Sequence, residues 1–264
     1  MTFFQQLLIA IVQGITEFLP ISSSGHLILI PHFTDFPDQG PLIDVAVHVG
    51  SLLAIIIYFF RDVRGLAQGG LATVGVGRAD EQRRLFIWIV IGTIPAVLLG
   101  LFLKTGGFLD QFRSTDLVAF NLIFYGLLLG AADRWGGQER RYEDMRLKDA
   151  IIVGLAQALA LIPGTSRSGV TMTAARVLGF HRAEAARFSF LLSIPAVAGA
   201  GLLAGLDLAE ATREMQWDAF VAGVMTFVAA FITMAGLMRF LRTKSMIVFV
   251  LYRVGLGAIL LAFF

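Results

Sequence analysis

The sequence contains no cysteine, which excludes a disulfide scaffold and any thiolate metal site. Charge is also scarce. Asp, Glu, Lys and Arg make up 15% of the chain, against about 25% in globular proteins, and so low a share excludes a disordered segment. The G-x-x-x-x-G-K-[ST], H-E-x-x-H and C-x-x-C patterns are absent, so nucleotide hydrolysis, zincin chemistry and thiol redox have no support. The first 20 residues hold no Lys or Arg, so no cleavable signal peptide is expected. What is abundant is apolar. Hydrophobic residues are 57% of the 264 positions, mean hydropathy is +0.78, and Phe alone occurs 23 times. An all-α integral membrane protein follows, because uninterrupted apolar runs of 16–20 residues do not fit the alternation of a membrane barrel. The net charge of +2 is assigned to loops between spans, and no nucleic acid partner is expected.

A span needs roughly 20 apolar residues. Six segments qualify, at 42–60, 85–103, 117–132, 189–206, 219–238 and 246–264. Two further apolar stretches are broken. Residues 3–19 carry Gln5, Gln6, Gln13 and Glu17 and stop at 20–26, PISSSGH; residues 150–162 stop at 163–169, PGTSRSG. Short apolar pieces follow at 27–30 and 172–178. Short helix, polar break, second short helix is the pattern of a re-entrant pair, tolerated at membrane depth where protein or a wet cavity surrounds it.

The order repeats. Residues 1–132 read broken segment, span, span, span, and residues 150–264 read the same, joined by a cytoplasmic linker at 133–149. Gln13, Ser22, Ser24 and Gly25 recur 144 positions later as Gln157, Ser166, Ser168 and Gly169. Three crossings per half would set the halves in opposite orientations, an inverted repeat with its site where the broken segments meet. Charge supports this. If neither broken segment crosses, one side of the membrane holds 17 of the 21 Lys and Arg and the other holds 3. If both cross fully, the bias vanishes. Cytoplasmic loops are rich in Lys and Arg, so six spans are expected, with both termini outside the cytoplasm.

Ionisable groups inside a membrane segment are costly and point to function. Gln13 and Glu17 share a helical face just before the first break; the plainer reading of Glu17 is a carboxylate snorkelling to the interface. Ser22, Ser23 and Ser24 suit helix capping, but His26 beside them adds a group that moves protons near neutral pH. The second break places Arg167 among Thr165, Ser166, Ser168 and Thr171, with Gly164 and Gly169, ahead of a helix. Helix N-terminal amides and a guanidinium fork together favour an anion; the plainer reading is a basic cytoplasmic loop. Asp44 and His48 share a face of the first span as pore-side or supporting residues. Arg253, in the last span, pairs with a buried carboxylate or carbonyl, or touches ligand. Arg176, Arg182 and Arg187 are expected as positive-inside residues, Pro95 and Pro195 as kinks, and Gly199 and Gly201 as close helix contacts. Carboxylate, imidazole, hydroxyls and Arg inside a membrane suit phosphoryl transfer from an amphiphilic phosphate ester or anhydride. They suit a carrier for a lipid phosphate equally.

The stretches QGITEFLPISSSGH (13–26) and PGTSRSGVT (163–171) resemble the two signature motifs of the undecaprenyl-pyrophosphate phosphatases, the bacitracin-resistance protein family, and the likeness extends over nearly the whole chain. The resemblance implies a multi-pass hydrolase of the bacterial inner membrane. It would convert undecaprenyl pyrophosphate to undecaprenyl phosphate, the lipid carrier recycled for peptidoglycan synthesis, and depend on a divalent cation, Mg2+ or Ca2+. Partners would be the polyprenyl pyrophosphate and membrane lipid, with a homodimer as the candidate assembly. The alternative is a lipid-phosphate carrier or flippase using the same pocket. Carried across by position, the catalytic residues would be Glu17, Ser23, His26 and Arg167. Ser22, Gly164, Ser166, Arg167, Ser168 and Thr171 would bind phosphate, and Glu17 would bind the metal, with Gln13 and Asp44 as weaker ligands. Many members have Glu where this chain has Gln13, which weakens a two-carboxylate metal site. Ser23 would be the nucleophile with His26 as acid/base partner, and direct attack by water is the other route.

Overall fold

The computed structural model describes all residues except 35, 37, 38, 78, 108–113 and 264, and, within helices, except the side chains of 28, 31–33, 200 and 203–209. The described residues are helical, without a strand. In chain order the helices are α1 (Phe3–Thr16), α2 (Ser23–Phe33), α3 (Pro41–Tyr58), α4 (Phe60–Thr73), α5 (Asp80–Thr105), α6 (Thr115–Trp135), α7 (Leu147–Leu159), α8 (Arg167–Val177), α9 (Arg182–Glu210), α10 (Arg213–Leu241) and α11 (Ile247–Phe263), with a 3-10 turn at Tyr142–Asp144. Among the described residues α3, α5, α6 and α10 are long and apolar enough to cross a membrane, and α11 is a shorter apolar helix. All six predicted apolar segments are helices. Both broken segments are helix–break–helix, as α1–α2 and α7–α8.

Local chemistry sets the boundaries. Gly40, at φ 80°, turns the chain into α3, and Pro41 opens that helix, where its missing N–H costs nothing. Ser114 caps α6 and Thr212 caps α10 with their hydroxyls. The outward faces are apolar. Val97, Leu98, Leu101 and Phe102 of α5 and Phe220, Val228 and Ile232 of α10 are exposed. In water so much bare hydrocarbon would drive association, and lipid is its natural solvent. Inside, Phe18, Phe59, Leu129, Met172, Phe188, Phe190 and Met234 form the main core. Phe18 meets Phe190 edge-on with ring centres 5.3 Å apart, anchoring the end of the first broken segment to α9.

Small residues let the helices touch. A Cβ on Gly50 of α3 would lie 2.2 Å from the Gly223 carbonyl of α10, and one on Gly154 of α7 would lie 2.5 Å from the Gly92 carbonyl of α5. Gly201 is likewise a contact, against Val49. Gly199 is a correction to the sequence reading: a Cβ there meets nothing within 4 Å among the described residues. Pro95 and Pro195 lie inside α5 and α9, which run on through them.

Two stretches are more ordered than the sequence indicates. The expected loop 61–84 contains α4, whose buried Leu66, Gly69 and Ala72 recur every third residue and lie against α5. Arg61, Asp62, Arg64 and three Gly mask that periodicity by composition. The 133–149 linker is pinned to its surroundings. Arg176 is fully buried and donates to the carbonyls of Gly137 (2.7 Å), Asp133 (3.2 Å) and Gly136 (3.3 Å). Arg182 Nε bonds Asp133 Oδ1 at 2.5 Å. These arginines brace the fold besides adding positive charge.

Gly50→Ala is expected to force α3 away from α10 at a cost of about 1–3 kcal/mol, read as a lower unfolding temperature in detergent. Gly199→Ala is expected to leave that temperature unchanged.

Candidate active site

The two breaks adopt one conformation. Among the described residues, Ser22 (φ 77°) and Ser166 (φ 70°) are the non-glycine positions with positive φ. Such a backbone costs on the order of 1–3 kcal/mol and persists only where the surroundings enforce it. Each serine caps the helix that follows: Ser22 Oγ accepts from Gly25 N at 3.4 Å, and Ser166 Oγ from Gly169 N at 3.1 Å. The helices therefore start at Ser23 and Arg167, earlier than apolar content alone indicates. Ser23 and Ser24 of the first motif and Arg167 and Ser168 of the second sit in first turns, where backbone N–H groups have no intrahelical partners.

The breaks meet. Arg167 Nη2 donates to Glu17 Oε1, an ion pair between residues 150 positions apart. Glu17 is buried and Arg167 is 17% exposed. The other carboxylate oxygen, Oε2, accepts from Ser23 Oγ at 2.7 Å and from Gln13 Nε2 at 3.0 Å. Ser168 Oγ, from the second break, donates to the Leu19 carbonyl of the first at 3.1 Å. One carboxylate thus carries a guanidinium on one oxygen and a serine hydroxyl on the other. A base aligned on a hydroxyl beside a cation is the arrangement of an activated nucleophile next to an anion site.

His26 lies elsewhere than at Ser23. Its Nδ1 is 2.7 Å from the Ser22 carbonyl and its Nε2 is 2.6 Å from the Tyr252 hydroxyl. A carbonyl can only accept, so Nδ1 carries the proton and Tyr252 donates to Nε2 of the neutral ring. The structure pairs Ser23 with Glu17 where the sequence reading paired it with His26. His48 is the second imidazole. Its Nδ1 is 2.6 Å from the Asp44 carbonyl, and its Nε2 faces Glu17 Oε2 at 3.7 Å. Asp44 itself turns Oδ1 to Gln39 Nε2 at 2.7 Å.

Most hydroxyls of the second motif are committed within the protein. Thr171 donates to the Arg167 carbonyl at 2.7 Å and lies 2.6 Å from Ser189 Oγ, while Ser166 lies 3.3 Å from Ser168. Gly164, at φ 84°, rests against α6, where a Cβ would meet the Val118 carbonyl at 2.6 Å. Two atoms of the second break are buried without a hydrogen-bond partner among the described residues: Arg167 Nη1 and Thr165 Oγ1. Both can donate to an anion. Sequence reasoning named neither Thr165 nor Tyr252 as site residues. Thr165 was legible as a hydroxyl in the motif. Tyr252 had no local signal, since only the fold brings α11 to the first break.

No three His, Asp or Glu side chains converge to hold a metal among the described residues. Gln13 Oε1 is nonetheless buried without a partner, while the amide nitrogen of the same side chain is fixed on Glu17. A carboxylate and an adjacent free carbonyl oxygen fit a hard cation that takes its remaining ligands from phosphate and water.

The family described as Bacitracin resistance protein BacA matches residues 6–259. The chain belongs to this family. It is 62% identical to a protein of Erythrobacter litoralis named undecaprenyl-diphosphatase, over the full length of both chains. It is 47% identical to the protein of that name from Ruegeria pomeroyi, over 99% of this chain and 98% of the relative. It is 47% identical to that from Alteromonas mediterranea, over 100% and 99%. Family membership together with the apolar helices makes this a multi-pass membrane protein.

Removing one partner of the buried Glu17–Arg167 pair strands the other charge, a loss of about 3–5 kcal/mol. Glu17→Gln and Arg167→Met are each expected to lower the unfolding temperature, and the double variant to lose less than the sum of the two. Additive losses would show that the pair is not coupled.

Proposed function

We propose that this protein hydrolyses undecaprenyl pyrophosphate to undecaprenyl phosphate and inorganic phosphate, regenerating the lipid carrier of peptidoglycan synthesis. The carrying observation is the Glu17 carboxylate shared between Ser23 and Arg167, in a full-length relative of proteins named undecaprenyl-diphosphatase. Bacitracin resistance, which the family's name carries, goes with this reading.

The residues act as follows. Arg167 Nη1, Thr165 Oγ1 and the first-turn amides of α2 and α8 hold the distal phosphate. Ser23 Oγ attacks its phosphorus in line, and Glu17 Oε2 takes the serine proton. The anhydride P–O bond breaks and undecaprenyl phosphate leaves, taking up the proton that Glu17 held and so restoring the carboxylate. Arg167 follows the charge as it spreads over the equatorial oxygens. Water then attacks the phosphoserine, Glu17 Oε2 accepts its proton, and Ser23 regains a hydroxyl as phosphate departs. His26, three residues on from Ser23 along α2 and held by Ser22 and Tyr252, is the further proton carrier that the first motif offers. Direct attack by water on the bound pyrophosphate is the competing route. A divalent cation, Mg2+ by its taste for carboxylate plus phosphate oxygens, would be held by Glu17 and Gln13 Oε1. Bound there, it neutralises charge on the pyrophosphate.

The same reading places six spans and two re-entrant pairs in an inverted repeat of residues 1–132 and 150–264, joined by a cytoplasmic linker at 133–149, in the bacterial inner membrane with both termini outside the cytoplasm. The matched strain at Ser22 and Ser166 supports it. So does the packing. α1 lies on α10 as α7 lies on α5, and α3 meets α10 as α9 meets α5. Exchanging the halves leaves these pairs unchanged.

Purified protein is expected to release phosphate from undecaprenyl pyrophosphate. Ser23→Ala and Arg167→Ala should each lower the rate by at least about 100-fold. Rapid quench with substrate labelled in the distal phosphate should trap label on Ser23. Absence of that label with full turnover selects the water route. Absence of phosphate release, with lipid phosphate still moved across vesicles, selects a carrier.

A further inference from the structure

Arg253 is the largest polar side chain in the bundle that the mechanism leaves unused. It projects from α11, is fully buried, and pairs with no carboxylate among the described residues. Its guanidinium instead donates to five backbone carbonyls. Nε bonds Leu122 at 3.1 Å, Nη1 bonds Pro20 at 3.2 Å, and Nη2 reaches Asn121 at 3.1 Å and Gly164 and Thr165 at 3.0 Å each. These acceptors lie on three different parts of the fold. Pro20 belongs to the first break, between Glu17 and Ser23. Gly164 and Thr165 belong to the second, just before Arg167. Asn121 and Leu122 belong to α6, and Asn121 also holds the second break directly, Nδ2 donating to the Pro163 carbonyl at 2.8 Å.

A non-helical break leaves carbonyls without ladder partners, and in a membrane no water is at hand to serve them. One planar fork with five N–H groups satisfies several at once and fixes their relative positions. Two glycines make room for it. A Cβ on Gly169 would lie 2.7 Å from Arg253 Nη1, and one on Gly126 would lie 3.1 Å from Arg253 Cβ. The glycine at the end of the second motif therefore serves the guanidinium.

We infer that Arg253 is a positioning residue that clamps the two breaks in register, holding the Ser23–Glu17 half and the Arg167 half at the separation one phosphate needs. This rests on the proposed hydrolysis for its consequence, and on the hydrogen bonds alone for its geometry. Lysine keeps the charge but cannot span the three segments. Misplacing reacting groups by about 1 Å costs on the order of 100-fold in rate.

The experiment has a kinetic arm and a distance arm. In purified full-length protein, Arg253→Lys is expected to lower kcat for phosphate release by about 10–100-fold with KM little changed. Arg253→Ala is expected to lose more and to regain activity on addition of guanidinium, not of ammonium. Gly169→Ala should reproduce the Arg253→Lys loss, and the double variant should add little to either, because both disturb one contact. Wild-type kcat in Arg253→Lys, or additive losses, would overturn the clamp. The chain has no cysteine, so spin labels placed through Ser24→Cys and Leu161→Cys report the separation of the breaks without any substrate. That distance distribution should broaden in Arg253→Lys. An unchanged width overturns the clamp whatever the substrate is. Broadening in a protein that releases no phosphate from undecaprenyl pyrophosphate retains the clamp and removes the proposed function.

Discussion

The site depends on one ion pair. Glu17 comes from the end of α1 and Arg167 from the start of α8, and neither is tolerable alone where it sits. A carboxylate withdrawn from water needs several kcal/mol of compensation, which the guanidinium, Ser23 and Gln13 supply together. The pair closes one half of the chain against the other. It also leaves a guanidinium nitrogen unspent, so the contact that stabilises the site also presents a donor to an anion.

Three buried arginines show how their surroundings divide the work. Arg176 braces the 133–149 segment through carbonyls and Asp133. Arg253 binds carbonyls of both breaks and α6. Arg167 is the one of the three that pairs with the Glu17 carboxylate of the other break, beside Ser23, and its Nη1 has no hydrogen-bond partner among the described residues. The distinction is geometric. Five donors in a plane suit gathering loose carbonyls as well as they suit phosphate, so cationic charge in a membrane segment does not by itself mark a ligand site.

Much of this was legible in sequence. Apolar run length located six of the helices, because a helix with no water on its face must be apolar on most sides. The two breaks were visible as Ser, Gly and Pro inside otherwise apolar stretches, and the 144-residue recurrence of Gln, Ser, Ser, Gly anticipated their shared backbone strain. Other features were not legible. α4 is anchored by Leu, Gly and Ala at every third position, a pattern weak in hydrophobicity. The pairing of His26 with Tyr252 joins residues 226 apart, and sequence proximity to Ser23 pointed the wrong way. Gly169 looked like a cradle for phosphate, while its small size accommodates a side chain from the far end of the chain. Gly199 looked like a packing contact and faces open space.

The central claim is that the two breaks touch, and thiol chemistry tests it most directly in a chain without native cysteine. Ser168 Oγ lies 3.1 Å from the Leu19 carbonyl, so Leu19→Cys combined with Ser168→Cys puts one thiol on each break, close to the contact. A short bifunctional thiol reagent applied in membranes is predicted to join the two within one chain. Two thiols that each react with the reagent yet are never joined, in a protein that is otherwise folded, would contradict the account.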